Sequence, residues 1–339
     1  MAYRFIVAAL PNVSPVSPAS GHTLHVGPYV AQFTEYALPA GQTMPGGVTP
    51  GPDGAVWFTF AGGIDRLTGS GTIAPFIPPA SIGDIMAPIA SFAGALWYGA
   101  DSPPLPQMPT QYLVRQPVSG VAQTTSSLPA EAGLTAMTTG GGGLYASFIN
   151  PVVGGVLAFD AAGTGSTIAT LPFNYDTFGI AYGPDNKLYV TATGDLATPD
   201  SAVFVLSKTG AMLRTIALPS GSFPGGIASG DGALWVTERG INSIARITTA
   251  GSVTQFTLPT PNAGPLQITA GSDGAMWFTE NSADAIGRIS AGGTVTEYTL
   301  PTRDAQPYGI ASCPHSCQNA HGRIWVTENA AAKIAKFEF

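Results

Sequence analysis

Three glutamates recur at one position of a repeated motif, and they are the residues with the clearest potential for chemistry. Each ends an apolar run that contains tryptophan, and each precedes a polar residue: Glu238-Arg239, Glu280-Asn281 and Glu328-Asn329. Carboxylate oxygens are the ligands that Mg²⁺ and Ca²⁺ prefer in proteins. The pattern therefore predicts a ligand site, with Glu280 and Glu328 as the metal-binding pair.

A structural interpretation of these glutamates stays open beside the first. A carboxylate at the end of a strand can accept hydrogen bonds from backbone N–H groups, a role that would repeat for folding reasons alone. Three further carboxylates, Asp84, Glu131 and Asp176, precede other apolar runs and are candidates for additional oxygen ligands.

Aromatic and amide side chains near the same positions extend the candidate site. Tyr308 with Glu328 is a candidate catalytic pair, because a tyrosine whose pKa is lowered by a nearby cation can act as a base. Alternatively, the Tyr308 ring packs in a wall with its hydroxyl hydrogen-bonded. The remaining predicted ligand contacts are Gln306, Tyr175, Phe178 and Phe223.

The two cysteines lie close together in the string "SCPHSCQNAHG". Cys313 and Cys317 are predicted to form a local disulfide, although zinc ligation with His315 and His321 is the alternative. The spacing matches none of the strong zinc signatures, which favours the disulfide. The other two histidines, His22 and His25, could form a second metal site with His315, His321 and the cysteines. That site would require two parts of the chain that belong to the outermost and innermost strands of one sheet to come close together.

Composition limits the partners. The net charge of -7, with only 13 Lys and Arg, argues against nucleic acid and anionic membranes. No stretch approaches the roughly 18 apolar residues of a membrane span. We expect a monomer that binds a small molecule, peptide or glycan. The low charge and the abundance of small polar residues predict an oxidising compartment, secreted or periplasmic.

The candidate residues belong to a sequence unit that repeats along the chain. The segment 223–261 recurs as 264–302, and each copy holds four apolar runs, here named strands A to D, between Gly, Asp, Asn and Ser turns. This pattern is typical of a four-stranded antiparallel blade. An aromatic residue marks strand B of every copy: Trp57, Trp97, Tyr145, Tyr189, Trp235, Trp277 and Trp325.

Seven markers predict an all-β, seven-bladed β-propeller. The last copy lacks strand D, whereas the orphan "QFTEYALP" at 32–39 matches the strand D pattern. We therefore predict that residues 32–39 complete blade 7, within a single propeller of residues 31–339 that follows an N-terminal extension, 1–30. The apolar run near the start, 1–10, is either the remnant of a signal peptide or an extra strand.

The blade layout explains why the candidate residues would meet. In a propeller, strand A lines the central channel, and the start of strand A lies on the same face as the end of strand B. The glutamates and Tyr308 should therefore converge at the mouth of the channel, a common location for ligand sites.

The strings "GSDGAMWFTENSADAIGRISAGGTVTEYTLPT" and "SGDGALWVTERGINSIARITTAGSVTQFTLPT" closely resemble the repeats of streptogramin B lyases, the virginiamycin B lyase family. The sequence resemblance is strong over residues 222–339 and 32–59 and weak in blades 2 to 4. It implies a Mg²⁺-dependent elimination that opens a cyclic depsipeptide at its ester without consuming water. It also implies catalytic histidines in Pro-His motifs at the start of strand A in two neighbouring blades.

The chain departs from this family pattern at the decisive positions. Leu266 and Tyr308 stand where the histidines would be, and Gln306 occupies the position of a carboxylate. The corresponding residues of the other blades are also not histidine: Gly46, Ala87, Ala132, Phe178 and Gly225. Imidazole is the usual base near neutral pH, so streptogramin lyase activity is not expected.

Two functions remain open from the sequence. The first is a divergent lyase that uses a cation to acidify a proton of a cyclic ester, cyclic peptide or uronate-like substrate. The second is a non-catalytic propeller that binds a glycan, peptide or protein in an aromatic mouth. Fold alone does not choose between them.

Overall fold

The computed structural model describes residues 3–6, 31–76, 88–101, 111–118, 124–129, 132–172, 175–194, 200–313 and 322–339. Within these ranges, 29 strands form seven antiparallel sheets. Each innermost strand contacts the innermost strand of the next sheet, and the last contacts the first. The sheets therefore close into a ring, which confirms the predicted seven-bladed β-propeller.

The first strands in the chain are β1 (Tyr3–Ile6) and β2 (Gln32–Ala37). Blade 1 follows with β3 (Val48–Pro50), β4 (Val56–Phe60), β5 (Gly63–Leu67) and β6 (Ile73–Phe76). Blade 2 contains β7 (Ile89–Phe92), β8 (Ala95–Asp101), β9 (Gln111–Pro117) and β10 (Thr124–Ser127). Blade 3 contains β11 (Gly133–Gly140), β12 (Gly143–Ile149), β13 (Gly154–Phe159) and β14 (Gly165–Thr170).

Blade 4 contains β15 (Tyr175–Tyr182), β16 (Lys187–Gly194), β17 (Ser201–Ser207) and β18 (Met212–Leu218). Blade 5 contains β19 (Pro224–Gly230), β20 (Ala233–Glu238), β21 (Ser243–Thr248) and β22 (Val253–Thr257), with a short 3₁₀ turn at Arg239–Ile241. Blade 6 contains β23 (Pro265–Ala270), β24 (Met276–Glu280), β25 (Ala285–Ile289) and β26 (Val295–Thr299). The C-terminal strands are β27 (Pro307–Ser312), β28 (Arg323–Glu328) and β29 (Lys333–Glu338).

Blade 7 is closed by the N-terminal part of the chain. Its strands lie in the order β1-β2-β29-β28-β27, and Phe33 of β2 is opposite Phe337 of β29. The prediction that the orphan strand completes blade 7 is confirmed. β1 adds a fifth strand outside it. Pairing the two ends of the chain in one sheet removes the open edge between the first and last blades.

The aromatic marker of strand B builds the contact between blades. Trp235 of blade 5 is fully buried and packs in one cluster with Ile268 and Phe278 of blade 6. Trp277 of blade 6 packs in the same way against Phe337 of blade 7, at a ring distance of 5.5 Å. Burial of such large rings is the main favourable term that holds neighbouring blades together.

In blades 1 and 6, an aspartate in the turn between strands A and B joins strand B to strand C. Asp273 accepts hydrogen bonds from Trp277 Nε1 at 3.1 Å and from Arg288 Nε at 2.7 Å, and the Arg288 guanidinium lies 5.9 Å from the centre of the Trp277 ring. Blade 1 repeats the aspartate contacts with Asp53 and Trp57. These charged residues are therefore part of the blade. Within the described ranges, no helix is long and apolar enough to span a membrane.

Candidate functional site

A cavity of about 430 Å³ opens on the central channel at the predicted face. It is lined by residues at or near the start of all seven innermost strands, β3, β7, β11, β15, β19, β23 and β27. Its volume lies within the range of roughly 300 to 1,000 Å³ that is typical of ligand pockets. The cavity is therefore the candidate site.

The strand register identifies the residue that each blade presents at the mouth. Ile268 pairs with Phe278 and Ile310 with Val326, so Leu266 and Tyr308 each lie two residues before the paired isoleucine. In blade 3 the pairing of Met137 with Ala146 places Thr135 at this position, which corrects Ala132. The described mouth residues are Gly46, Thr135, Phe178, Gly225, Leu266 and Tyr308.

The mouth is apolar and aromatic. Tyr308 and Phe178 line the cavity although 40% and 43% of their surface is exposed to solvent, and Phe223 beside them is 54% exposed. Among the described residues that line the cavity, tyrosine is the only ionisable type. Withdrawal from water raises the pKa of Tyr308 above its ordinary value, which is opposite to the change that a general base would need.

The three glutamates do not line the cavity. Glu238, Glu280 and Glu328 end strands β20, β24 and β28 and are fully buried. The backbone of each pairs with the first residue of strand A, as in Pro265 with Glu280, yet the side chain turns outward toward strand D. The expectation of an acidic mouth is therefore corrected, because the carboxyl groups lie inside the blades.

Each buried glutamate faces a polar residue of strand D. In blade 5, Gln255 Nε2 donates to Glu238 Oε1 at 3.2 Å. In blade 6 the facing residue is Glu297, and in blade 7 it is Glu35, contributed by β2. Blades 6 and 7 thus contain carboxyl pairs where blade 5 has a carboxyl and an amide; both members are buried in blade 7, whereas Glu297 of blade 6 is half-buried.

Burial raises the pKa of all three groups. The pKa of Glu238 rises to about 7. The pKa of Glu280 rises to about 8, first through burial and then through the charge of Glu297. Burial and then Glu35 likewise raise the pKa of Glu328, although Lys333 opposes the shift. Glu280 and Glu328 therefore retain a proton near neutral pH and can donate it to their partners.

The partner carboxylates connect neighbouring blades. Glu297 accepts hydrogen bonds from Thr260 N at 3.0 Å and Thr260 Oγ1 at 2.6 Å, and Thr260 belongs to the connection that leaves blade 5. Glu35 accepts from Thr302 N at 3.1 Å in the same way and also pairs with Lys333 Nζ at 2.7 Å. These hydrogen bonds are accepted by Glu297 and Glu35, and within the described residues no backbone N–H donates to Glu238, Glu280 or Glu328.

These residues do not fit the predicted divalent cation. Within the described part of the chain, no group of three or more His, Cys, Asp or Glu side chains is positioned to hold a metal ion. Glu280 and Glu328 are in addition buried, turned away from the cavity and protonated near neutral pH. Ions such as Mg²⁺ and Ca²⁺ require several charged or carbonyl oxygens around one accessible point.

The residues that follow the glutamates have different roles. Asn281 Nδ2 donates to Pro307 O at 3.0 Å, and Asn329 Nδ2 donates to Pro45 O at 3.1 Å, so both amides bind the next blade. Arg239, at the equivalent place in blade 5, is exposed at the rim of the mouth.

The other predicted contacts lie around the mouth but apart from each other. Gln306 is exposed, and its backbone N–H donates to Asp284 Oδ1 at 3.0 Å. Tyr175 packs edge-on against Phe204 at 5.1 Å and does not belong to the described cavity lining. Asp176 is exposed.

A threonine before each glutamate was missed by the sequence analysis. Thr279 Oγ1 accepts from Gln267 N and donates to Tyr308 O, both at 3.1 Å. Thr327 Oγ1 accepts from Gly309 N at 2.7 Å and donates to Gly46 O at 2.8 Å. Each hydroxyl thus fixes the start of strand A in its own blade and in the next. The available signal was the recurring "WFTE" and "WVTE" strings.

Several candidate residues lie outside the described ranges. Of the two cysteines, Cys313 is described and Cys317 is not. Cys313 is disulfide-bonded. The candidates outside the described ranges are Cys317, His22, His25, His315, His321, Asp84, Ala87 and Glu131.

With this geometry established, comparisons with known proteins identify close structural relatives. Residues 131–339 match the family model described as the Virginiamycin B lyase family. A streptogramin B lyase structure is 30% identical, with 91% of this chain and 97% of that chain covered and a TM-score of 0.75. A catalytically inactive histidine-to-alanine variant of virginiamycin B lyase from Staphylococcus aureus, with quinupristin, is 27% identical at a TM-score of 0.76, covering 91% and 99%. A search of curated proteins gave no match.

Proposed function

The chain belongs to the Virginiamycin B lyase family, and we propose that it is a binding propeller that holds the apolar groups of a peptide-like ligand at the central cavity without performing an elimination. The observation that carries the proposal is the aromatic mouth. Phe178 and Tyr308 are exposed around a cavity of about 430 Å³ whose described lining contains no carboxylate, imidazole or amine.

The chemistry of this lining supports binding rather than proton transfer. Leu266 has no group that accepts a proton, and the raised pKa of Tyr308 keeps its hydroxyl protonated at neutral pH. Exposed aromatic rings, by contrast, provide contact area at a small cost in side-chain entropy, and aromatic pairs contribute about 0.5 to 1.5 kcal/mol beyond area burial. A ligand with apolar or aromatic side chains would use these groups directly.

The relative with quinupristin supports the choice of a first probe, because that ligand occurs with a propeller of the same family. We expect wild-type protein to bind quinupristin saturably in isothermal titration calorimetry. Replacing Phe178 and Tyr308 together by glycine, the residue that blade 5 has at this position, should weaken binding by about 10-fold to 100-fold.

A matched control keeps this test specific. Met212→Ala removes another exposed apolar side chain, 43% accessible, from the outermost strand of blade 4 and should leave affinity unchanged. Thermal unfolding of each variant verifies folding. Absence of saturable heat in the wild type, or equal affinity of wild type and the double variant, would contradict the proposed function.

A further inference from the structure

A second cavity of about 450 Å³ lies at the rim of the mouth, where blades 4, 5 and 6 meet. We name it the rim pocket. Two exposed phenylalanine rings and one exposed guanidinium surround it. Its principal lining residues are Phe178, Phe223, Gly225, Arg239, Gly240 and Leu266.

Blade 5 differs from its sister blades at the residues of this pocket. At the mouth position it has Gly225, where blades 6 and 7 have Leu266 and Tyr308. After the buried glutamate it has Arg239, where the sister blades have asparagines that bind the next blade. Before strand A it has Phe223, a bulkier side chain than Gly264 or Gln306 at the same place in blades 6 and 7. The pocket is therefore lined by the residues at which blade 5 differs in side chain from blades 6 and 7.

Phe223 is held in an unfavourable state. Its φ of 45° lies in the left-handed region, which is costly for a bulky side chain, and the equivalent residues of blades 6 and 7 share this conformation, Gly264 with a φ of 68° and Gln306 with a φ of 47°. The ring is also 54% exposed, so burial does not offset this cost. The structure keeps Phe223 in place through Arg239 N, which donates to Phe223 O at 3.3 Å.

Two glycines beside the pocket permit close approaches of the backbone. A β-carbon on Gly240 would collide with the carbonyl of Gly221 and with the ring of Phe223, so glycine permits the close approach of the two loops. A β-carbon on Gly225 would collide with the carbonyl oxygen of Leu266 and with Thr237 Oγ1, so glycine here lets strands β19 and β23 approach each other. The pocket therefore lies beside a tightly packed junction of blades 5 and 6.

The charged group of the rim pocket is the guanidinium of Arg239. Within the described residues its guanidinium forms no ion pair, although the protein has an excess of acidic groups and a net charge of -7. A guanidinium binds a carboxylate through two parallel hydrogen bonds. Beside aromatic rings, it is suited to a ligand in which a carboxylate lies close to an apolar group.

We propose that the rim pocket binds a carboxylate that adjoins an apolar side chain, the chemistry of a peptide C-terminus with an aromatic or branched last residue. Arg239 pairs with the carboxylate, and Phe178 and Phe223 contact the apolar group above Gly225. The inference rests on the proposed function, since it assigns the chemical class of part of the ligand that the same face would hold.

The test compares N-acetylphenylalanine with its amide, which has the same ring and no charge. In ligand-observed NMR titrations, the wild type should bind the acid at least 10-fold more tightly than the amide, and added salt should reduce the difference. Arg239→Asn, which introduces the residue type of the sister blades, should reduce affinity for the acid to that of the amide. Phe223→Gly, which introduces the residue type of blade 6, should weaken binding of both probes, because one of the two ring contacts is lost.

Two comparisons keep the outcomes distinct. Arg239→Lys should retain part of the preference, because the charge remains but the paired geometry is lost. Equal affinity for acid and amide in the wild type, or an unchanged preference in Arg239→Asn, would overturn the inference. If quinupristin binds while the acid does not, the rim pocket alone fails; if the acid binds while quinupristin does not, the proposed function of the central cavity fails.

Discussion

Blades 5 and 6 are two copies of one repeat, and comparing them separates residues that build a blade from residues that are exposed at the mouth. Both retain the buried tryptophan of strand B, Trp235 and Trp277, and the threonine that joins neighbouring inner strands. They differ where the chain reaches the mouth, as at Phe223 and Gly264. What is repeated serves folding, whereas the residues that break the repeat lie exposed at the mouth.

The buried polar pair gives the second contrast. Blade 5 pairs Glu238 with the amide of Gln255, whereas blade 6 pairs Glu280 with the carboxyl of Glu297. An amide donates a hydrogen bond at any pH, but a carboxyl pair needs a proton for its hydrogen bond. The two blades should therefore respond differently to pH although their backbones are alike.

The largest expected effect on stability comes from the buried tryptophans that pack between neighbouring blades. Trp277→Ala and Trp235→Ala should each lower the free energy of unfolding by about 3 to 5 kcal/mol, because each leaves a large cavity between two blades. Chemical denaturation measures both. A cost below about 1 kcal/mol in either blade would show that the tryptophans do not have the shared role described.

The next effect tests the carboxyl pair. The ordinary pKa of a glutamate is 4.5, and that of Glu280 in the fold is about 8. The folded protein therefore binds more protons than the unfolded chain between these values, and stability should fall as pH rises from about 5 to 8. Glu280→Gln should flatten this dependence and raise stability at pH 8 by on the order of 2 kcal/mol. Denaturation at several pH values measures the change.

Glu238→Gln is the matched control for that variant. Its pKa of about 7 lies nearer the ordinary value and its partner is already an amide, so it should flatten the dependence less. A pH dependence that is unchanged in Glu280→Gln, or a larger effect of Glu238→Gln, would contradict the proton-sharing description.

A smaller effect distinguishes the residues after the glutamates. Asn281→Ala removes the hydrogen bond to Pro307 O and should cost about 1 kcal/mol. Arg239→Ala removes an exposed side chain and should change stability by less than about 0.5 kcal/mol. Thermal unfolding compares them. An equal cost for both variants would mean that Arg239 also has a structural role.

The smallest effect concerns strain. Phe223→Gly introduces the residue of blade 6 and relieves a left-handed conformation, so stability should rise by a few tenths to about 1 kcal/mol. Binding of N-acetylphenylalanine should weaken at the same time. A loss of stability in this variant would show that the Phe223 ring supports the fold instead of the pocket.

The repeat made the fold predictable from sequence. Spacing of the strand B aromatics gave the number of blades, and the orphan strand at 32–39 gave the closure, because hydrophobic periodicity and turn residues act locally. The structure agrees with the predicted blades and closure and adds a fifth strand to blade 7, Tyr3–Ile6. An extra strand was one of the two interpretations of the N-terminal apolar run.

The site was less predictable for a physical reason. Sequence placed the glutamates at the correct end of strand B, but the direction of a side chain depends on which partner lies across the blade. Glu280 faces Glu297 and Glu328 faces Glu35, so both side chains point outward toward strand D. In neither pair are the two residues close in sequence. In blade 3, the pairing of Met137 with Ala146 places Thr135 at the mouth in place of Ala132. The sequence of this degenerate blade does not show that pairing.

The most direct test of the account is product analysis after incubation with quinupristin. Protein and ligand would be incubated with Mg²⁺ at neutral pH, and the ligand examined by chromatography and proton NMR, because ring opening by elimination leaves the mass unchanged. We predict that the ligand is bound and recovered with its ester ring intact. Appearance of the linear product with a new alkene, at a rate that depends on protein concentration, would contradict the account.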